Sequence, residues 1–319
     1  MSRILVSIVI PVRDEEATIN ELFESIARQS YKPDEVVIVD GGSNDGTVRI
    51  IEGLAGTQPF TVRLVRTDNA TPGRGRNLGI EAAANEWIAL TDAGIRLEDN
   101  WLELLVRASE RADLVLGNYS PVTDTFFTKC AAFAYVPPTN GSGIRGRFIA
   151  SSMIKKSVWK AVGGFPDLRA AEDLIFIEKV EKAGFRVVQA PDAKVHWQLR
   201  PDLTSTFRKF ALYSKHNVLA GRQWDWHYGL LRQYLLLLPF LLLTIFHSYW
   251  WLAAVLVWLS LRSLKRVTGH INEFGATTVL NPIVLFCVGS LLLTIDAATF
   301  LGWVQARISG ERYFDQNNR

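Results

Sequence analysis

Cysteine is scarce in this chain of 319 residues, with only Cys130 and Cys287 present. A disulfide framework is thereby excluded, and both read as buried free thiols. A secretory leader is missing too, because residues 1–11 run straight into a strand pattern without a long apolar stretch or a small-residue cleavage site. The first domain is therefore expected to stay in the cytoplasm. Charge of one sign is also lacking, since the formal net charge is only +3. With no basic groove interleaved with aromatics and no zinc-ligand spacing, nucleic acid is not an expected partner.

The length exceeds what one hydrophobic core usually fills, roughly 250 to 300 residues, so two parts are expected. Charges are spread through residues 1–222 and thin out in long stretches afterwards. The first part reads as α/β. Ile4 to Ile10 is a β-branched run closed by Pro11, and a helical pattern follows from Glu15 to Gln29. Strands at 35–39, 62–65 and 87–90 alternate with helices at 46–54 and 75–84. This alternation predicts a mostly parallel sheet with helices on both faces, which binds ligands at the carboxyl ends of its strands. Further strands are expected at 114–116, 147–154 and 186–188, a Pro- and Gly-rich loop at 135–146, and a helix from Glu172 to Ala183.

The second part begins with an amphipathic pattern at 203–222, in which Leu203, Phe207, Phe210 and Val218 share one face and Arg208, Lys209 and Lys215 lie mostly elsewhere. Such a helix suits a membrane surface, and equally the flank of a globular domain. Apolar runs at 230–246, 249–264 and 279–304 follow, the first and third near or beyond the ~20 residues that span a bilayer. Trp224, Trp226, Tyr228, Tyr249, Trp250 and Trp251 sit where aromatic belts are expected. Three spans would leave Arg307, Arg312 and Arg319 outside, against the positive-inside rule, so a re-entrant or interfacial third segment is the alternative. Asp296 lies inside the third run, where an ionisable group points to function, and His247 is a candidate neighbour.

Two motifs follow the first two strands: Pro11-Val12-Arg13-Asp14-Glu15, and Asp40-Gly41-Gly42-Ser43-Asn44-Asp45-Gly46-Thr47. Both stand at strand carboxyl ends and face one crevice. An Asp there can accept hydrogen bonds from a base or ribose, and Gly42 lets the backbone approach a nucleotide; an Asx turn starting the next helix gives the same residues. Together with the stretch Gly73 to Gly79, GRGRNLG, these motifs resemble glycosyltransferase family 2, the inverting enzymes of the GT-A fold. The resemblance covers residues 4–200.

What the resemblance implies is a nucleotide-sugar site. Asp40 would read the base, uracil by expectation, and Pro11, Arg13 and Glu15 would line the base and ribose pocket. Arg74 and Arg76 would meet the diphosphate or order the loop beside it, with a solvated helix face as the plain alternative. The fourth strand ends at Asp92-Ala93-Gly94, where the family usually has an Asp-x-Asp pair holding a divalent cation; Gly94 replaces the second acid. One carboxylate can still hold Mg²⁺ or Mn²⁺ when the substrate adds phosphate oxygens, so a metal at Asp92 is expected, with His196 as a further candidate ligand.

Gly163-Gly164-Phe165-Pro166 and then Ala171-Glu172-Asp173 have the order and spacing of the family's acceptor-side signature. By resemblance Asp173 is the general base that takes the acceptor proton, and Glu172 orients the acceptor or its neighbour. An acidic pair favoured by the helix dipole is the alternative reading. The family's processive synthases carry a Gln-x-x-Arg-Trp run that is absent here, so transfer of a single sugar is expected.

The expected organisation is a cytoplasmic glycosyltransferase domain at 1–202, an interfacial segment at 203–228, a transmembrane region of two to three helices at 229–306, and a tail at 307–319. The expected protein sits in the inner membrane and uses a UDP-sugar donor and a lipid-linked or membrane-proximal acceptor. Two rivals stand beside it. A nucleotidyltransferase would place a glycine-rich loop directly after the first strand, where this chain has PVRDEEATIN. A catalytically silent membrane scaffold would keep the fold and tolerate Gly94.

Overall fold

The run Val6–Val12 is buried along almost its whole length and forms the first strand, β1. Then come α1 (Ile19–Ala27), β2 (Glu35–Asp40), α2 (Thr47–Ala55), β3 (Thr61–Arg66), α3 (Pro72–Ala82) and β4 (Trp87–Leu90). These four strands lie in the order β3-β2-β1-β4, all parallel, as the alternation of strand and helix predicts. Pro11 does not close β1 but lies within it, opposite Val39. The Val9 carbonyl faces β4, and pairing on that side ends at Val9–Leu90, so the nitrogen of Pro11 points past the end of β4 and no ladder bond is lost.

The chain continues with β5 (Ile95–Leu97), α4 (Trp101–Ser109), β6 (Leu114–Val122), α5 (Phe126–Tyr135), β7 (Ser152–Lys155), α6 (Lys156–Ala161), α7 (Glu172–Lys182) and β8 (Val187–Gln198). The full order of the eight-stranded sheet is β3-β2-β1-β4-β7-β6-β8-β5. Its second half is antiparallel where β7 meets β4 and β6, and where β5 meets β8. The strand expected from 147 shrinks to Ser152–Lys155. Just before it, Ser151 accepts the Trp101 indole N–H at 2.9 Å and donates its hydroxyl to the Ala193 carbonyl at 3.0 Å, while its own carbonyl accepts from the Gly117 N–H of β6. Val9, Ile80, Leu90, Ile154, Phe165 and Phe176 meet in one apolar core that bonds the sheet to α3 and α7.

The structure is a computed structural model that describes residues 3–310. Its contacts divide those residues into one unit of 3–121 with 140–198 and a second of 122–139 with 199–310. The second unit thus takes in α5, which sequence reading places with the first domain. Its other elements are α8 (Leu203–Leu219), α9 (His227–Phe246), a 3₁₀ turn (Tyr249–Trp251), α10 (Leu252–Thr268), α11 (Ile271–Phe274), α12 (Ala276–Val279) and α13 (Pro282–Ser309). Among the described residues α9 and α13 are long and apolar enough to cross a membrane, and α10 is not. Arg312 and Arg319 fall outside the described residues.

Asp296 does not meet His247, whose ring lies 3.4 Å from the Trp251 indole nitrogen. Instead Arg262 of α10 grips Asp296 with both terminal nitrogens, and the Tyr234 hydroxyl of α9 donates to it at 2.7 Å. A buried carboxylate needs such a partner, and the pair draws three helices together.

Candidate active site

Two loops at the carboxyl ends of β1 and β2 are laced together by side-chain-to-backbone bonds. Asp14 adopts a left-handed backbone, donates its N–H to Ser43 and accepts from the Asn44 N–H at 2.8 Å. Glu16 accepts from Gly46, Asp45 accepts from Glu16, and the Glu15 N–H donates to Thr47 at 2.8 Å. Much of the run Ser43 to Thr47 is therefore spent on holding the first loop in place. Asp45, in particular, is held below the usual carboxylate range first by the Thr47 hydroxyl.

Asp40, expected to read the base, is buried and closes its own turn: Ser43 donates its hydroxyl at 2.5 Å and Gly42 its N–H at 3.2 Å. Gly42 has a φ of 86° and lies against the backbone of Asn69, so this turn requires glycine. Pro11 lies under α3, where a Cβ on Gly75 would come within 3.0 Å of its ring. Arg13 is one-third exposed and 3.7 Å from Asp14. The Glu15 carboxylate accepts the Thr18 hydroxyl at 2.5 Å.

The glycines of GRGRNLG serve close packing. A Cβ on Gly79 would stand 2.4 Å from Val9, and one on Gly73 would stand 2.0 Å from the Pro166 carbonyl. α3 starts with Thr71 as its N-cap and Pro72 in its first turn, which sets the helix in register over β1. Arg74 then faces solvent, whereas Arg76 points inward and is almost wholly buried. Arg76 donates to Asp92 at 2.7 Å through one terminal nitrogen and to Glu172 at 2.8 Å through the other. Its flat face lies over Phe165, which stacks on Phe176.

The two arginines are thereby sorted. Arg74 alone keeps a free route to a diphosphate, and Arg76 orders the carboxylates. Desolvation works against the Arg76 charge, yet Asp92 and Glu172 outweigh it and hold the guanidinium firmly protonated. Burial pushes Glu172 up to about 7, against the pull of Arg76 and with help from the neighbouring Asp173. Burial also raises Asp173, while Arg76 and the Leu174 N–H, 2.8 Å away, pull it back.

Sequence reading misses Asn77, whose neighbour Arg76 it singles out. The Asn77 side chain donates to the Phe165 carbonyl at 2.8 Å and accepts from the Phe165 N–H at 2.8 Å and the Trp159 indole at 2.9 Å. Gly163 and Gly164 turn the chain with positive φ, and Ala171 does the same just before α7. Asn77 thus pins the acceptor-side turn to α3, and only its place inside GRGRNLG could have marked it.

The donor set for a cation is thin. Among the described residues no three His, Cys, Asp or Glu side chains are arranged to hold a metal ion. His196 pairs in register with Arg96 and lies 3.5 Å from Glu98, in an open cleft of about 690 Å³ whose lining does not include Asp92. Asp92 keeps 41% of its side chain exposed and has one oxygen engaged by Arg76. A hard cation fits here with Asp92 as a single protein ligand and phosphate oxygens as the remainder.

Residues 7–132 match the family described as Glycosyl transferase family 2. The chain is 29% identical to the succinoglycan biosynthesis protein ExoA of Rhizobium meliloti, over 67% of this chain and 72% of that protein. It is 30% identical to the glycosyltransferase GlyG of Streptococcus pneumoniae, over 36% of this chain and 39% of that one. The chain spans between a third and a half of the length of the first curated relatives it matches. In fold it is similar to a mannosyltransferase from Pyrobaculum calidifontis in complex with GDP-Man and Mn²⁺, with a TM-score of 0.68 at 18% identity, covering 97% of this chain and 88% of the other. It is also similar to Staphylococcus aureus TarS in complex with UDP, with a TM-score of 0.51 at 16% identity, covering 98% and 93%.

Proposed function

We propose that this chain is a member of glycosyltransferase family 2 that moves one sugar from a UDP-sugar onto a lipid-linked or membrane-proximal acceptor with inversion at the anomeric carbon. The observation that carries this reading is the buried bridge from Asp92 through Arg76 to Glu172, which ties the donor-side strand end to the start of α7. A transferase needs a leaving diphosphate on one side of the anomeric carbon and a base on the other. Arg76 bonds Asp92 through one terminal nitrogen and Glu172, the neighbour of Asp173, through the other.

In the step proposed, the Asp173 carboxylate takes the acceptor hydroxyl proton as that oxygen bonds the anomeric carbon. The bond from that carbon to the diphosphate oxygen breaks, and the diphosphate leaves with the electron pair. Asp40 and its glycine turn, with Pro11, Arg13 and Glu15, form the nucleoside side of the site, and Arg74 reaches the diphosphate. A bound Mg²⁺ or Mn²⁺ at Asp92 would neutralise charge on the leaving group. Glu172, gripped by Arg76, fixes the first turn of α7 so that Asp173 is aimed.

The apolar helices α9 and α13 support a membrane location. Transfer from candidate UDP-sugars into a membrane extract tests the reading, with wild type compared with Asp173→Asn. A loss of at least a thousandfold is expected, with UDP affinity retained; equal rates would refute the base assignment. Calorimetry showing no UDP binding, with or without Mn²⁺, would favour a silent scaffold.

A further inference from the structure

α13 has 28 residues and is about 42 Å long at the α-helical rise, well beyond the ~30 Å hydrocarbon core of a bilayer. Its exposed apolar side chains Ile283, Phe286, Leu293, Leu301, Val304 and Ile308 recur at threes, fours, sevens and eights. They form one stripe along the entire helix, while the opposite face, including Val288, Leu292, Ala298 and Ala306, is buried. A stripe that continues to Ile308, beside Arg307, runs further than an untilted crossing helix keeps in hydrocarbon.

The neighbours of α13 hold both of its ends to one side. At its C-terminal half α8 packs so closely that a Cβ on Gly302 would lie 2.2 Å from the Ala211 carbonyl, and Ser214 donates to the Thr299 carbonyl at 2.6 Å. At its N-terminal half it packs against α5 and against Leu259 and Ser263 of α10 beside Gly289. The segment leading into α13 is tied back as well, since Glu273 accepts from the N–H and hydroxyl of Thr139 at 2.9 and 3.0 Å. Three residues join β6 to α5 and four join β8 to α8, connections too short to cross a bilayer.

α9 and α10 differ. Tyr234 meets Trp258 and Phe240 meets Trp251, so the two helices run as a hairpin. Beyond Tyr234 this hairpin is largely uncovered: Leu237 is buried, but Leu236, Leu242, Ile245, Phe246, Leu256 and Val257 stand exposed on it. Its tip carries Tyr249 and Trp250, each 71% exposed. Its base carries Lys265 and Arg266, and Arg262 neutralises Asp296 where hairpin and α13 meet.

We infer that the second unit enters the bilayer only through the α9–α10 hairpin, and that α13 lies flat along the surface with its apolar stripe on the lipid. The partner is one leaflet of a bilayer with anionic headgroups. The aromatic tip sinks into it, and Lys265 and Arg266, with Arg208, Lys209 and Lys215 of α8, meet the phosphates. The inference rests on the membrane reading given above and replaces its third span. It also removes the conflict with the positive-inside rule, because Arg307 then stays on the catalytic side.

The test uses the full chain in bacterial inner membranes, with a reporter that fluoresces only in the cytoplasm fused to either end. Equal specific fluorescence at both ends, with the chain retained after an alkaline carbonate wash, is the expected result. A C-terminal reporter at a tenth or less of the N-terminal signal, in a washed membrane fraction, would overturn the flat α13 and leave the membrane reading standing. A chain released by the wash would overturn both. A second variant, Leu242→Arg with Ile245→Arg, should release most of the chain from the membrane and leave binding of UDP by the catalytic unit unchanged; full retention of that variant would overturn insertion of the hairpin.

Discussion

Arg76 and Glu172 pair at 2.8 Å with both side chains more than nine-tenths buried, so each is the other's means of staying charged out of water. Removing one partner leaves a buried charge uncompensated, at a cost of about 3–5 kcal/mol. Arg76→Met is therefore expected to lower unfolding free energy by about that much at pH 8. The loss should shrink below pH 7, where Glu172, pushed up to about 7, takes a proton and no longer needs the guanidinium. Chemical denaturation of the detergent-solubilised chain at the two pH values measures both. A loss independent of pH would contradict the assignment.

The same pair sets the pH dependence of the proposed transfer. Asp173 must be ionised to act as a base, and its carboxyl is raised by burial, so activity should climb with pH through a limb above the ordinary carboxylate range. The Arg76 guanidinium pulls the other way, so Arg76→Met is expected to move that limb to higher pH. Stability has the opposite sign from a depressed acid: the folded state binds more protons than the unfolded between the ordinary value of Glu172 and about 7, so stability falls as pH rises through that window. Rate profiles and thermal melts across pH 5 to 8 check both signs.

Much of the first unit can be read from the sequence because its strands are continuous apolar runs between turn residues. β1, β2 and β4 announce themselves in that way, and parallel pairing follows from the helices between them. The antiparallel half is harder. β7 has only four residues, and its partners lie far off in sequence, so neither its start nor its pairing shows in a local pattern. Site residues divide similarly. Asp40, Asp92 and Asp173 are visible by position at element ends, whereas the burial of Arg76 and the exposure of Arg74, two residues apart on one helix, depend on which face α3 turns to the sheet.

Asn77 offers a test of positioning separate from chemistry. Asn77→Ala removes three hydrogen bonds that hold the turn before α7, and should lower kcat with acceptor by one to two orders of magnitude, about 1–3 kcal/mol. UDP affinity by calorimetry should be unchanged, because Asn77 touches no residue of the nucleoside loops. Asn77→Asp keeps both accepted bonds and loses the donated one, so partial rescue is expected. Equal loss of UDP binding and turnover would indicate general damage to the fold.

Gly79 tests the packing of α3 on the sheet. An added methyl would stand 2.4 Å from Val9 and 3.0 Å from Val39, both rigid β-branched residues of buried strands. Gly79→Ala gains helix propensity worth about 1 kcal/mol, yet overpacking of this kind costs about 1–3 kcal/mol and must displace the helix that carries Arg76. A lower melting temperature together with a reduced rate is the expected outcome. A stabilised, fully active variant would show that α3 stands further from β1.

Gly94 stands in the opposite situation, because a Cβ added there meets nothing within 4 Å and its backbone needs no positive φ. The space for a second acid exists, two residues after an Asp92 that has one oxygen engaged by Arg76. Gly94→Asp should therefore fold with a melting temperature close to wild type and supply a second hard oxygen ligand. Tighter Mn²⁺-dependent binding of UDP, by about tenfold or 1.4 kcal/mol, is expected in calorimetry, with little change when metal is omitted. The comparison also bears on wild type. If Asp92 alone anchors the cation, Asp92→Asn should abolish the metal dependence in wild type and weaken it in the Gly94→Asp background, where one carboxylate remains. Metal-independent UDP binding in all three proteins would show instead that Arg74 and the loop backbone carry the diphosphate without a cation.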